Sequence, residues 1–144
     1  PQGNRVPDLA FRPRQPILVA GDYDGWVSFW DVRTGKLDGN SVRHGRDVRL
    51  VSFSEDGKHL LVGGEDGVAR IIDPDTRSTI GQRLIHFREV HGGAVGAEAG
   101  CIITGDYNGD VRIWSLAPQG EEDRVLRHPG SVNVASFDTT GRHV

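Results

Sequence analysis

The sequence predicts an all-β protein made of a repeated sheet unit. Its 144 residues include 20 glycines and 7 prolines, a composition that favours many turns over long helices. Apolar residues stand in short runs, and no segment shows the spacing of an amphipathic helix. A pattern of glycine, aspartate and an apolar strand also returns at a fixed interval along the chain, which indicates tandem structural repeats.

The repeat is clearest in three segments that begin with a glycine-bounded turn. The segment GDYDGWVSFWD at 21–31 returns as GGEDGVARIID at 63–73 and as GDYNGDVRIWS at 105–115, a step of 42 residues. The columns that keep this step without a gap are Trp30, Ile72 and Trp114; His44, His86 and His128; Val6, Val48, Val90 and Val132; and Phe11, Phe53, Val95 and Phe137. Several independent columns with one period identify a repeat protein.

The middle repeat shows how one unit is expected to fold. Four strands are predicted, at 48–53, 60–62, 68–73 and 80–85. The second strand has no polar break, as expected for a buried strand. The Asp66-Gly67 pair predicts a tight hairpin before the third strand, because glycine tolerates positive φ. The turn at 74–77 then leads to the fourth strand.

Four strands in 42 residues match one blade of a β-propeller. The predicted blades cover about 6–43, 44–85 and 86–127, and residues 128–144 begin a fourth. Closed propellers have about four to eight blades, so about 3.3 blades cannot close a ring and would expose apolar blade faces. We therefore expect a fragment of a larger propeller, or a short chain that closes by self-association.

The motifs of each unit resemble the WD40 repeat. Residues 48–58 read Val-x-x-Val-x-Phe-Ser-x-Asp-Gly-Lys, residues 60–67 read Leu-Leu-x-Gly-Gly-x-Asp-Gly, and Trp30-Asp31 ends a third strand. The resemblance extends over nearly the whole chain and implies, by family analogy, a seven-bladed ring. The connectors at 31–36 and 80–84 look most like those of bacterial WD40 arrays, which are commonly fused to signalling NTPase or protein-kinase modules.

The resemblance also implies a buried hydrogen-bond tetrad of His, Ser or Thr, Asp and Trp in each blade. A buried indole has one donor that needs a partner, and an imidazole can link a hydroxyl to a carboxylate. By position, the structural tetrad residues are His86, Thr104, Asn108 and Trp114 in blade 3, His44 and Asp66 in blade 2, and Asp24 and Trp30 in blade 1. The tetrads of blades 1 and 2 are therefore expected to be partial.

The sequence gives little support for a metal, nucleotide or catalytic site. Asp22 and Asp24 have part of the spacing of a calcium loop, but the glycine arrives too early, and a hairpin turn explains them better. Cys101 lies in an apolar strand without a CxxC or HxxxH pair, so no metal site is predicted. No phosphate-binding glycine motif and no nucleophile elbow occurs. We expect no cofactor and no catalysis.

Bulk properties narrow the class of partner. The net charge is −3 with both signs mixed along the chain, so no basic surface for nucleic acid is predicted. The longest apolar runs, of four or five residues, are too short to span a membrane. A single cysteine fits a reducing compartment, and we expect a cytoplasmic location.

What remains is recognition of a partner by the top face, which the family builds from the loops between strands two and three and between strands four and one. The top-face residues predicted by position are Tyr23, Trp26, Asp47, Arg49, Glu65, Glu89, His91, Tyr107 and Asn133. Aromatic side chains are enriched at interface hot spots. The competing interpretation is that these side chains only cover the turns and the blade edge.

The functional prediction is a non-enzymatic scaffold that binds a protein or peptide. Rigid blades would hold the loops that contact the partner. The alternative is a sensor or autoinhibitory module of a larger signalling NTPase or protein kinase. A further partner is expected at the open ends of the array, either the remaining blades of the same chain or a second copy of it.

Overall fold

The computed structural model describes residues 5–117 and 122–137, which form antiparallel sheets. The strands are β1 (Asp8–Phe11), β2 (Ile17–Gly21), β3 (Trp26–Asp31), β4 (Lys36–Leu37), β5 (Val42–Arg43), β6 (Val48–Phe53), β7 (Leu60–Gly64), β8 (Val68–Ile72), β9 (Thr79–Ile85), β10 (Val90–Gly96), β11 (Cys101–Asp106), β12 (Asp110–Ser115) and β13 (Glu122–Arg127). Within this part of the chain there is no helix of the length and apolarity that crossing a bilayer would take.

The strands form three sheets in chain order. Blade 1 contains β1–β5, blade 2 contains β6–β9, and blade 3 contains β10–β13, and neighbouring strands in each sheet are antiparallel. Blade 2 has its strands within two residues of the predicted bounds. The prediction of an all-β fold made of four-stranded antiparallel sheets is thus confirmed.

Blade 1 differs from the other two in its outer strand, which is split. Both β4 and β5 pair with β3, and residues 38–41 between them form a bulge opposite Ser28 and Phe29. Gly39 in this bulge has φ +70°, a conformation that glycine adopts without steric cost. The Ser28 and Ser41 hydroxyls, 2.9 Å apart, hold the bulge against β3. The blade therefore keeps four strand positions although its sheet has five strands.

The three Asp/Asn-Gly turns are hairpin turns, as predicted. Gly25, Gly67 and Gly109 have φ of +84°, +72° and +93°, so a β-carbon at any of them would be strained. Each turn packs against the loop that leads to the next blade. At the middle one, the His86 N–H donates to the Gly67 carbonyl at 2.7 Å. The turns and loops therefore form one continuous surface at this end of the strands.

Two buried apolar clusters join the blades. The cluster between blades 1 and 2 consists of Ile17, Val19, Val27, Phe29, Val48, Val51, Leu60, Val62 and Ile72. The cluster between blades 2 and 3 consists of Leu50, Leu61, Ala69, Ile71, Leu84, Val90, Val95, Ile102 and Trp114. Blade 2 buries both of its faces, because successive side chains of a strand point to opposite sides. Burial of these faces is the main attraction between blades.

Two arginines link blade 1 to blade 2 away from the Asp/Asn-Gly hairpin turns. The two Nη atoms of Arg12 donate to the Asp75 carboxylate at 2.7 and 3.0 Å, and its Nε donates to the Gly57 carbonyl at 3.0 Å. Arg77 in turn donates to Asp38 Oδ2 at 2.6 Å. Each arginine is therefore held by the blade next to its own, and the pairs add directional contacts to the apolar interface.

One face of blade 1 is left exposed by the described residues. Leu9 and Trp30 are 54% and 37% exposed, and Phe11 beside them is 63% exposed. The residues 42 positions after Leu9 and Trp30 are Val51 and Ile72, which are only 4% and 1% exposed because blade 1 covers them. This face therefore has the composition of an interblade interface, and exposed apolar patches of this kind mark interaction surfaces.

The start of a fourth blade differs from the prediction. Residues 128–144 were predicted to begin a fourth blade, but residues 131–137 contain no strand. The segment nevertheless packs on blade 3: the Val132 N–H donates to the Asp106 carbonyl at 3.1 Å, and Val132 lies against Gly105. The first strand of a blade is held by hydrogen bonds to its second strand, and residues 138–144, where that strand would begin, lie outside the described residues.

Candidate partner-binding rim

The candidate site is the surface formed by the hairpin turns and the loops that precede each blade. We call this surface the rim and define it by the nine predicted top-face residues. Backbone hydrogen bonds hold turn to loop in a repeated manner: the Glu65 N–H donates to the Asp47 carbonyl and the Tyr107 N–H to the Glu89 carbonyl, both at 3.0 Å. The rim residues therefore stand on rigid elements, which favours precise recognition.

Between blades 1 and 2, three rim residues form one contact group. The Arg49 guanidinium donates to the Tyr23 hydroxyl at 3.0 Å and to Asp47 Oδ2 at 3.2 Å. The same guanidinium lies over the Tyr23 ring, 4.5 Å from its centroid. Arg49 is thus bound by a carboxylate and by the negative face of an aromatic ring. The sequence predicted these three positions, and the structure brings them together.

In blade 3, three more rim residues lie next to one another. His91 Nε2 is 3.1 Å from Glu89 Oε2, and the His91 ring centroid is 5.9 Å from that of Tyr107. The Tyr107 side chain remains 58% exposed, and Glu89 is partly exposed. This group therefore offers a partner an aromatic surface, an imidazole and a carboxylate side by side.

An open cleft of about 410 Å³ runs along the first strands of the blades. Arg49, His91 and Asn133, which occupy the same repeat position, all line it. Asp8 also lines it, with Oδ1 accepting from the Leu9 N–H at 2.9 Å and Oδ2 from the Val51 N–H at 2.8 Å. Sequence reasoning missed Asp8, since no acidic residue stands at the matching positions of the other repeats.

The remaining two rim residues take different places. Trp26 is opposite Arg43 of the outer strand β5, and the Arg43 guanidinium is 5.1 Å from its ring centroid. Trp26 therefore belongs to the outer part of blade 1 and not to the cleft. Glu65 is exposed in the turn between β7 and β8, where its carboxylate is available to a partner.

The buried network of blade 3 is formed with one residue different from the prediction. The Trp114 indole donates to Thr104 Oγ1 at 2.8 Å, Thr104 Oγ1 is 2.6 Å from His86 Nε2, and His86 Nδ1 is 3.2 Å from Asp106 Oδ2. With Nδ1–H donating to the carboxylate, the hydroxyl donates to Nε2 and accepts from the indole. Both ring nitrogens of His86, the Thr104 hydroxyl and the Trp114 indole N–H are thereby paired.

The assignment of Asn108 to this network was wrong. Both ring nitrogens of His86 are already bonded, and the Asn108 backbone N–H instead donates to Asp106 Oδ1 at 2.9 Å. The Asp66 and Asn108 column is the more uniform one because Asp and Asn are favoured turn residues, and each precedes the positive-φ glycine of its turn. Asp106 lies two residues before Asn108, and its counterpart in blade 1 is Asp22. The return of an aspartate at this repeat position was the sequence signal that could have identified Asp106.

Burial lowers the pKa of His86 below its ordinary value, and the hydrogen bond to Asp106 offsets part of that effect. The cause is the removal of the ring from water, which disfavours its charged form. The neutral imidazole is also the form that the network requires, because Nε2 must accept from Thr104. His86 therefore acts as a structural link within the blade.

In blade 2 an arginine takes part in place of the missing hydroxyl and indole. Arg70 Nη1 is 2.9 Å from His44 Nδ1, and His44 Nε2 is 3.5 Å from Asp66 Oδ1. Burial lowers the pKa of His44, with a further decrease from the Arg70 charge and a partial increase from Asp66. The predicted pair of His44 and Asp66 is thus adjacent but at the outer limit of hydrogen bonding.

In blade 1 the predicted buried network is absent from the described residues. Asp24 is exposed in its turn, and Asp22 is the carboxylate that accepts from the Trp26 N–H at 2.8 Å. Trp30 lies on the exposed face of the blade, and Ala20 offers no hydroxyl at the position of Thr104. Asp24 and Trp30 are therefore not buried as predicted: Asp24 lies at the surface of its turn, and no blade within the described residues covers Trp30.

Within residues 5–117 and 122–137, no three His, Cys, Asp or Glu side chains lie close enough together to bind a metal ion. Cys101, the single cysteine, is half-buried at the start of β11. What the rim can do chemically is to present preformed hydrogen-bond donors, carboxylates and aromatic rings to another molecule.

Comparison with known proteins finds a repeat family that matches part of this sequence and solved structures with a similar fold. Residues 2–31 and 35–73 match the family described as "WD domain, G-beta repeat". A crystal structure of the RRP9 WD40 repeats superimposes with a TM-score of 0.83 at 18% identity and covers 93% of this chain and 42% of that one. At such low identity this likeness concerns the fold.

Relatives of known name are longer than this chain. WD repeat-containing protein 55 of Mus musculus is 29% identical over 138 residues, which cover 90% of this chain and 34% of that protein. Target of rapamycin complex subunit LST8 of Mus musculus is 26% identical over 152 residues, which cover 95% of this chain and 43% of that protein. The chain thus spans between a third and a half of the length of these relatives.

Proposed function

Because this chain is built of WD40 repeats, we propose that it is a non-enzymatic module that binds a protein or peptide partner through its rim. Proteins of this repeat family generally act as protein-interaction scaffolds. One observation carries the proposal. Arg49, His91 and Asn133 come from three successive repeats, and all three line the same cleft.

The contacts of Arg49 support a role of the rim in partner binding. Its guanidinium is held by Tyr23 and Asp47 before any partner arrives, so little side-chain entropy would be lost on binding. Arginine and tyrosine are also the residue types enriched at binding hot spots. A partner that reaches the cleft would meet an ordered donor.

The buried histidines support a module without catalysis. His86 has both ring nitrogens bonded inside blade 3, and His44 is buried between Arg70 and Asp66. A general base needs a free nitrogen within reach of a substrate. Both imidazoles instead serve the packing of their blades.

The proposal is tested by partner capture with rim variants. The chain, or the intact propeller that contains it, is compared with Tyr23→Ala plus Tyr107→Ala, and recovered proteins are quantified by mass spectrometry. Arg33→Ala plus Lys58→Ala is the matched control, since both residues lie in turns at the opposite end of the strands. We expect the rim variant to lose a defined partner that the control retains. Equal recovery by both folded variants would contradict the proposal.

A further inference from the structure

The three junctions between successive repeats differ in charge at the same three positions. Junction 1–2 is formed by Tyr23, Asp47 and Arg49; junction 2–3 by Glu65, Glu89 and His91; and junction 3–4 by Tyr107, Ser131 and Asn133. The first contains one carboxylate and one guanidinium, and the third contains no charged group. The second contains two carboxylates and neither arginine nor lysine. The acidic charge of these positions is thus concentrated at junction 2–3.

Junction 1–2 shows what these positions accept. There the Arg49 guanidinium lies 4.5 Å from the Tyr23 ring centroid and donates to Asp47 at 3.2 Å. A carboxylate and an aromatic ring together satisfy one cation. The chain therefore contains, within itself, an example of an arginine bound at a junction.

Junction 2–3 has Glu65 where junction 1–2 has Tyr23, and His91 where junction 1–2 has Arg49, so it has no long cation of its own. Glu89 keeps its position on the loop, 3.1 Å from His91, and the Tyr107 ring stands 5.9 Å from the His91 ring. An imidazole is shorter than an arginine side chain, so it does not extend over the junction as Arg49 does. No arginine or lysine at these three positions therefore takes, at junction 2–3, the place that Arg49 takes at junction 1–2.

The backbone connects the turn of Glu65 with the loop of Glu89. The turn that carries Glu65 is packed against the loop that carries Glu89: a β-carbon at Gly67 would lie 2.8 Å from the His86 carbonyl oxygen and 3.2 Å from that of Arg88. Arg88 does not distinguish the junctions, because Arg46 occupies the same loop position at junction 1–2. The difference in charge between the two junctions therefore comes from Glu65, Glu89 and His91.

We propose that junction 2–3 binds a cationic side chain, arginine or lysine, of a basic peptide segment in the partner. The cation would take the place that Arg49 holds in the neighbouring junction and would donate to Glu65 and Glu89. The Tyr107 ring of the next junction, whose backbone N–H donates to the Glu89 carbonyl, would contact it from the other side. This inference rests on the proposed function and adds the chemical class of the partner. Two carboxylates and an exposed aromatic ring are complementary to such a group.

The test uses three capped peptides of glycine and serine that differ at two positions, occupied by arginine, by its neutral isostere citrulline, or by glutamate. Binding to the full chain is followed by NMR titration, which reports both affinity and location. We expect the arginine peptide to shift the signals of Glu65, Glu89, His91 and Tyr107. The other two peptides should bind about fivefold more weakly, which corresponds to the upper end of the range for one exposed ion pair.

Two variants separate a specific junction from general attraction. Glu65→Gln plus Glu89→Gln is expected to weaken the arginine peptide roughly tenfold. Glu55→Gln plus Glu98→Gln removes the same charge from turns at the opposite end of the strands and is expected to change the affinity less than about twofold. Equal losses in the two variants, or equal affinity for arginine and citrulline, would overturn the proposal.

A third variant tests the comparison between junctions directly. His91→Arg supplies an internal cation where Arg49 stands in junction 1–2, and it should abolish binding although both glutamates remain. Ala99→Arg, in an exposed turn at the other end, is its control for added charge. Undiminished binding by His91→Arg would count against the proposal. If the tyrosine rim variant loses its partner while no peptide preference appears, the rim proposal stands and the basic-segment proposal fails.

Discussion

The indole N–H of Trp114 donates to the hydroxyl of Thr104 at 2.8 Å, and this bond ties β12 to β11 inside blade 3. The hydroxyl also serves His86, whose Nε2 is 2.6 Å away. One small side chain therefore satisfies two buried polar groups from two other elements. In blade 2 the matching residue is Val62, and there the histidine relies on Arg70 instead.

Replacing Thr104 by valine removes this double partner while the shape of the side chain is kept. The Trp114 donor and the His86 acceptor would then be buried without partners, and each unsatisfied group costs about 1–3 kcal/mol. We expect Thr104→Val to lower the free energy of unfolding by about 2–4 kcal/mol in urea titrations. Thr79→Val, on an exposed position of β9, is the control and should change it by less than about 0.5 kcal/mol. Similar values for both variants would argue against the network.

Arg12 and Asp75 should show measurable coupling across the interface between blades 1 and 2. Arg12 is buried, and its hydrogen bonds hold the pKa of the Asp75 carboxyl below its usual value. Because Asp75 itself is well exposed, solvent screening limits the pair to about 1 kcal/mol or less. A double-mutant cycle with Arg12→Met and Asp75→Asn measures this coupling.

The pair Arg33 and Asp31 provides the comparison for that cycle. Asp31 ends β3 and Arg33 lies in the turn that follows, with Arg33 Nη2 3.4 Å from Asp31 Oδ2. We expect their coupling to be smaller and to vanish with added salt. The interface assignment would be rejected if the Arg12 and Asp75 pair coupled no more strongly than this surface pair.

The stability of the chain should fall as the solution becomes acidic, through His44 and His86. Burial lowers the pKa of both imidazoles in the folded state, so the unfolded chain binds more protons once the pH drops below about 6.5, the ordinary value for histidine. The free energy of unfolding is then fully present above that pH and decreases toward the lower pKa of the folded form. Protonating His44 would also place a proton between Nδ1 and the Arg70 donor.

Urea titrations between pH 7.5 and 5, combined with NMR titration of the histidine rings, check this prediction. Folded His44 and His86 should remain neutral at a pH just below 6.5, the ordinary pKa of histidine. The variant His86→Gln should show a weaker dependence of stability on pH than the parent chain. A stability that stays constant or increases on acidification would contradict the argument.

The exposed face of blade 1 should make the chain associate. Leu9, Phe11 and Trp30 form an apolar surface whose counterparts in blade 2 are covered by a neighbouring blade. We expect the 144-residue chain to show concentration-dependent association in light scattering, and Leu9→Lys plus Phe11→Lys to reduce it. Arg14→Ala, an exposed change outside this face, is the control. A monomer at all concentrations in the parent chain would contradict this expectation.

Local signals in the sequence were sufficient for the elements of the fold. The Asp-Gly and Asn-Gly pairs predicted hairpins, and Gly67 and its counterparts do adopt positive φ, because turn chemistry depends on adjacent residues. The apolar run at Leu60 and the 42-residue period likewise predicted a buried strand inside a repeated sheet. These properties are encoded within a few residues or by comparison of one repeat with the next.

Partners of individual side chains were decided by the tertiary structure. Whether Asp106 or Asn108 reaches His86 depends on the path of a turn in three dimensions. Trp114 is buried in the interface between blades 2 and 3, whereas Trp30 lies on a face that no described blade covers. The contact of Arg49 with Tyr23 joins residues of two blades. By itself, then, the sequence determined the repeat, the strands and the rim positions; the tertiary structure decided their contacts, because burial and hydrogen bonding depend on which surfaces meet.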